Sequence, residues 1–124
     1  MGARVLVTDD DVALRNLIVR LLETRDHFEI DSARDGVEAI EKLDHDHFDA
    51  IVLDLMMPRI DGFGVLKYLR EHRPNLLKRV IVMTATSEEE IHKLDFAAIC
   101  GVVRKPFDIN YFVDYVQHCV ETPN

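Results

Sequence analysis

The stretch "VLVTDDDVALRNLI", residues 5–18, changes its hydrophobic rhythm at a run of three aspartates. Before them, Val5, Leu6 and Val7 form a continuous apolar run of the kind carried by a strand buried on both faces. After them, Leu14, Leu17, Ile18, Leu21 and Leu22 recur at i, i+3, i+4, i+7 and i+8, the apolar stripe of an amphipathic helix. The crowded acids are costly, because two carboxylates about 5 Å apart repel by roughly 3 kcal/mol at an effective dielectric near 20. One of them can cap the helix by accepting from its free N–H groups. The other two need a different reason to be there.

The same strand-then-helix unit recurs along the chain. Further strand-like runs lie at 28–33 ("FEIDSA"), 49–54 ("DAIVLD"), 79–84 ("RVIVMT") and about 100–104 ("CGVVR"). "FEIDSA" alternates and suits a sheet edge, whereas the first, third and fourth of the five runs are nearly continuously apolar. Between them, Val37, Ile40 and Leu43 mark one helix, and Phe63, Leu66 and Leu69 another. Gly36 and Gly62 each follow an Asp and mark turns into these helices. Ser87 with Glu90 reads as a capping box opening a fourth helix that carries Ile91 and Leu94, and Phe112, Val116 and Val120 line a fifth. Buried strands alternating with amphipathic helices predict an α/β fold, a doubly wound (βα)5 unit with a five-stranded parallel sheet. The expected flavodoxin-like order is 2-1-3-4-5, with ligands bound outside the carboxyl ends of the strands, at the switch point between strands 1 and 3.

Length and composition narrow the function. The 124 residues suit a single domain, 1–124, of 48% hydrophobic and 31% charged residues. A formal charge of −8 argues against binding a phosphate backbone, so no nucleic-acid partner is expected. Apolar runs such as "AIVL" fall far short of the roughly 20 residues a membrane span needs, and "MGAR" runs straight into a strand with no room for a signal peptide. Cys100 and Cys119 are too few and too far apart in sequence for a disulfide framework. They read as two reduced, buried thiols in a cytoplasmic protein.

The carboxyl edge of the predicted sheet collects chemistry. Strand 1 ends in Thr8-Asp9-Asp10-Asp11, strand 3 in Asp54, strand 4 in Thr84 and strand 5 at Lys105. Each has a bland alternative: a turn cap for Asp54, a hydroxyl-to-backbone turn for Thr84, a solvated lysine for Lys105. Together they are coherent. Hard oxygen ligands suit Mg2+, which favours one or two carboxylates plus phosphate oxygens. Asp9, Asp10 and Asp54 contribute −3, which Mg2+ and Lys105 offset by +3. A carboxylate beside such a cation can attack phosphorus, and the cation and Lys105 can stabilise the transferring oxygens. Thr84 offers a hydroxyl to the new phosphoryl oxygens. On this reading two of the three aspartates hold a cation, and Asp11 caps the first helix or sits exposed.

The motifs "VLVTDDD", "IVLDLMMPRIDGFGVL", "VIVMTA" and "VRKPF" resemble those of response-regulator receiver domains of two-component signalling, in order, over about residues 3–120. The resemblance implies a signalling switch rather than an enzyme, one that takes part in its own phosphorylation and dephosphorylation. It implies that a sensor histidine kinase or phosphotransfer protein donates a phosphoryl group to Asp54. Asp9, Asp10 and Asp54 would hold Mg2+ together with the main-chain carbonyl of Met56. Thr84 would be the switch hydroxyl, with Ala85 beside it at the phosphate, and Lys105 would pair with the phosphoryl group, its bond to Pro106 often cis in such domains. Output would pass through helix 4, strand 5 and helix 5 to a downstream protein, an effector domain outside this sequence or a phosphorylation-dependent dimer. Lys93, Arg104, Asp108, Tyr111 and Tyr115 are the exposed candidates on that face.

One position departs from the family. Three residues before the Lys, receiver domains usually carry Tyr or Phe; here it is Val102, stiff at χ1 and too short to swing between an outward and a buried pose. Three alternatives fit less well. A haloacid-dehalogenase-type phosphohydrolase wants its nucleophile on strand 1 in D-x-D-x-T/V, where the last position here is Ala13, and a later acidic pair that is missing. A flavodoxin-type carrier would have its flavin phosphate repelled by "TDDD". A degenerate receiver used only for docking would not need every acidic-site residue. "DHDH" at 44–47 reads as a solvated loop, "SEEE" at 87–90 as a complement to a helix dipole, and "GFG" at 62–64 as a helix opening.

Overall fold

The computed structural model describes residues 2–122; Met1, Pro123 and Asn124, the last two closing the "ETPN" tail, lie outside the described residues. Five strands alternate with five helices: β1 (Ala3–Thr8), α1 (Val12–Glu23), β2 (Phe28–Ala33), α2 (Gly36–His45), β3 (Ala50–Leu53), α3 (Gly62–His72), β4 (Val80–Thr84), α4 (Glu88–Ile91), β5 (Gly101–Arg104) and α5 (Ile109–Glu121). All strand pairs are parallel, and the order is β2-β1-β3-β4-β5. The doubly wound architecture expected from the sequence is therefore present, and the alternating strand does lie at an edge.

Strand alternation divides the core in two, because successive side chains point to opposite faces of a sheet. Val5, Val7, Val52, Ile81, Met83 and Val103 pack with Ile18 and Leu22 of α1 and Phe112, Val116 and Cys119 of α5. Leu6, Ile51, Leu53, Val80 and Val82 face the other way, against α2, α3 and the segment around α4. Asp11, Asp35, Asp61, Ser87 and Asp108 cap the five helices, each side chain accepting from an amide in the first turn.

Four sequence expectations need correction. α4 is a single turn: the Ser87 cap opens it, but it ends at Ile91, and Leu94 lies beyond it. Leu94 and Ile99 are buried all the same, so the segment is pinned by side chains rather than by a continued helical ladder. Leu17 is exposed, because α1 turns only a narrower stripe of Ile18 and Leu22 fully inward. Asp44 and His45 belong to the last turn of α2, not to a loop. A 3-10 helix, Pro74–Arg79, leads into β4, where the sequence predicts strand from residue 79.

Candidate functional site

The site lies where β1 and β3, adjacent in the sheet, deliver their carboxyl ends. Asp9 is fully buried and Asp54 is 5% exposed, whereas Asp10 is exposed. One oxygen from each of Asp9, Asp10 and Asp54 lies within 4.8 Å of the others. Three like charges do not converge at that distance by apolar packing.

Lys105 closes the cluster from β5. Its Nζ donates to Asp9 Oδ2 at 3.0 Å and to Asp54 Oδ2 at 3.3 Å. Its peptide bond to Pro106 is cis. The other oxygens are held by backbone: Asp11 N donates to Asp9 Oδ1 at 2.9 Å and Met56 N to Asp54 Oδ1 at 3.2 Å. Arg15 of α1 anchors the corner by donating to the Asp9 carbonyl at 2.7 Å. Asp11 turns away and accepts from Leu14 N at 3.1 Å, so it caps α1 and is also exposed.

Burial, then the neighbouring Asp9 charge, pushes the Asp54 carboxyl above the usual aspartate range, with Lys105 opposing both. Burial disfavours the charge of Lys105, but the hydrogen bond to Asp9 and the charges of Asp54 and Asp9 outweigh it and raise its pKa. The pocket thus holds more negative charge than one ammonium balances. Hard oxygen donors, closely spaced and undercompensated, fit a divalent cation such as Mg2+.

Thr84 is buried and its hydroxyl accepts from Thr86 N at 3.1 Å, the local turn that is its bland alternative. It makes no hydrogen bond to the carboxylates, so the structure brings Asp9, Asp10, Asp54 and Lys105 together and leaves Thr84 engaged nearby. Ala85 is exposed beside Lys105, on an apolar groove shared with Leu14, Leu17 and Phe107. Met56 is 59% exposed, with its backbone beside Asp54. Val102 is half-buried against the cluster that includes Ile91 and Leu94, and pairs with Val82. On the expected output face Lys93, Arg104, Asp108 and Tyr111 are exposed, but Tyr115 is half-buried with its hydroxyl on the Cys100 carbonyl.

Sequence reasoning missed two supports. A Cβ on Gly62 would stand 2.5 Å from the Asp54 carbonyl oxygen and 2.6 Å from Leu55 Cα, so α3 rests its first residue directly on the backbone of the site. Arg59, with φ of 70°, donates to buried Asp35 at 3.0 Å and ties the β3–α3 loop to the start of α2. The Asp-Gly pair at 61–62 signals the first; nothing local signals the second, which spans 24 residues.

A family model described as the response regulator receiver domain matches residues 5–117. Response regulator MprA of Mycobacterium ulcerans is 39% identical over 107 residues, covering 86% of this chain and 45% of that protein. The chain spans about half the length of the curated relatives it matches. Among solved structures, the receiver domain of Francisella response regulator 1452 superposes with a TM-score of 0.84 at 31% identity, covering 97% of this chain and 98% of that one. Response regulator TrrA of Thermotoga maritima, solved in complex with Mg2+ and BeF, gives 0.81 at 30% identity, covering 94% and 98%. Among the described residues no helix is long and apolar enough to cross a membrane.

Proposed function

The chain belongs to the response-regulator receiver family, and on that premise we propose that Asp54 accepts a phosphoryl group from a sensor histidine kinase or a phosphotransfer protein. The observation that carries the reading is the convergence of Asp9, Asp10 and Asp54, with Lys105 bridging two of them. An oxygen of Asp54 attacks phosphorus, the bond to the donor nitrogen breaks, and an acyl phosphate forms on Asp54. Asp9, Asp10, Asp54 and the main-chain carbonyl of Met56 would hold Mg2+, which supplies positive charge to the phosphoryl oxygens in flight.

Lys105 then exchanges carboxylate for phosphoryl oxygen, starting from its bonds to Asp9 and Asp54. Thr84 releases the Thr86 amide and donates its hydroxyl to the new group, drawing Ala85 and the following loop with it. Output passes through α4, β5 and α5 to a downstream protein, an effector domain beyond this sequence or a second copy, in a cytoplasmic setting. Val102 cannot bury a ring in response, so backbone shifts at 84–91 carry the change.

Incubation with Mg2+ and acetyl phosphate tests the reading. One acid-stable, alkali-labile phosphoryl group should appear on the parent and none on Asp54→Asn. Stoichiometric labelling of the variant at another residue overturns the assignment.

A further inference from the structure

Cys100 and Cys119 are 19 positions apart in sequence, yet the fold brings them to one place. Three hydrogen bonds triangulate it. Cys100 N donates to the Val80 carbonyl at 2.8 Å, and Cys119 Sγ donates to the carbonyl of the preceding residue, Arg79, at 3.5 Å. One turn before Cys119 on α5, the Tyr115 hydroxyl donates to the Cys100 carbonyl at 3.3 Å. Both thiols are free, and Cys100 packs against the buried cluster that contains Cys119. The sequence reading of two buried thiols is therefore incomplete: Cys119 is buried, but Cys100 is only half-buried.

The surroundings give the two sulfurs different work. The Arg79 guanidinium is buried at the end of α5, donating to the carbonyls of Cys119 at 3.2 Å and Thr122 at 2.7 Å. The neighbouring Cys119 thiol, with this nearby positive charge, draws the Cys100 thiol below its ordinary range against the effect of burial. The neighbouring Cys100 thiol and burial together push Cys119 up. A partly buried thiol inclined to ionise beside a fully buried, protonated one is the arrangement of an attacking and a resolving cysteine.

We propose that Cys100 and Cys119 are a redox modification site, closing to a reversible intramolecular disulfide when the protein meets hydrogen peroxide. The Cys100 thiolate attacks one peroxide oxygen and the O–O bond breaks. A sulfenic acid forms on Cys100, and the leaving hydroxide takes a proton and departs as water. Cys119 sulfur then attacks Cys100 sulfur, the S–O bond breaks, and a second water leaves with the Cys119 proton. Two thiols lose two electrons and the peroxide is reduced to two waters. Such reversible pairs are the form in which disulfides occur in reducing compartments. The bond ties the start of β5 to the last turn of α5, two residues from Val102. It is independent of Asp54 chemistry.

The test is peptide mapping of the native, full chain after stoichiometric hydrogen peroxide, without reductant. The expected result is a Cys100–Cys119 linked pair, an intact mass lower by about 2 Da, and full reversal by dithiothreitol. In Cys119→Ser, dimedone should trap a sulfenic acid on Cys100; in Cys100→Ser, Cys119 should remain a thiol. Two unreacted thiols, sulfinic acid at Cys100, or dimers linked between chains in the parent protein would each overturn the proposal, whatever the variants do.

Discussion

The acidic pocket and the segment from Thr84 to Ile99 sit side by side at one edge of the sheet and are built in opposite ways. In the pocket every oxygen of Asp9 and Asp54 is held by a donor, the two Oδ2 atoms by Lys105 just beyond β5 and the two Oδ1 atoms by the Asp11 and Met56 amides, and α3 rests on the Asp54 backbone. In the segment most bonds are local: Ser87 to Glu90, Lys93 to Glu90, Asp95 to Ala97 and Ala98. One helical turn, four buried side chains and an exposed Glu88–Arg104 ion pair attach it to the rest. The pocket is stiff and electrostatically stressed; its neighbour is lightly held. A charge change in the first can therefore be answered in the second, because a ligand moves an equilibrium only by its differential free energy and the soft element offers the smallest resistance.

Substitutions can break or sharpen this contrast, read by urea unfolding without metal. The largest effect belongs to Gly62→Ala, whose new Cβ meets the Asp54 backbone; a loss of about 3 kcal/mol is expected, from overpacking that cannot relax. A loss no larger than that of an exposed-site substitution would mean the pocket is not stiff. Lys105→Ala should cost about 2 kcal/mol by leaving two buried carboxylates unpaired, and slow acyl-phosphate labelling about 100-fold. Mg2+ should still bind this variant and restore part of its stability.

Asp54→Asn should act in the opposite direction. The folded protein raises the Asp54 carboxyl through burial and the Asp9 charge, so the stability that its protonated form contributes is complete below the ordinary value of 3.8 and is lost as pH rises through the folded value. At pH 7 without metal the variant should be more stable by about 1 kcal/mol, the gain fading as pH falls through the raised folded value and gone below 3.8. With saturating Mg2+ the order should reverse. A destabilised Asp54→Asn at pH 7 without metal would show that the pocket is not under charge stress. The smallest effect belongs to the soft segment: Glu88→Ala should cost less than about 0.5 kcal/mol, as expected of an exposed pair.

The same contrast explains what was legible in the sequence. β1 and β2 were read with their observed ends, and the pocket residues were found, because an apolar run ending in Asp or Lys places its terminal side chain without reference to distant contacts. The Asp11 cap was legible for the same reason. The extent of α4 was not: Ser87 and Glu90 signal a start, but the stop depends on how Leu94 and Ile99 pack against α3 and β4, partners many residues away. Arg59 on Asp35 and the meeting of Cys100 with Cys119 were hidden likewise, since each pairs residues from elements that only the winding of the chain makes neighbours.

Amide hydrogen exchange, followed by mass spectrometry with and without Mg2+ and beryllofluoride, compares the two regions in a single experiment. With the phosphoryl mimic bound, peptides covering 84–99 should change their protection substantially, while β1, β3 and the start of α3 keep theirs. Protection that changes throughout β1 and β3 while 84–99 stays constant would contradict a stiff pocket driving a soft neighbour.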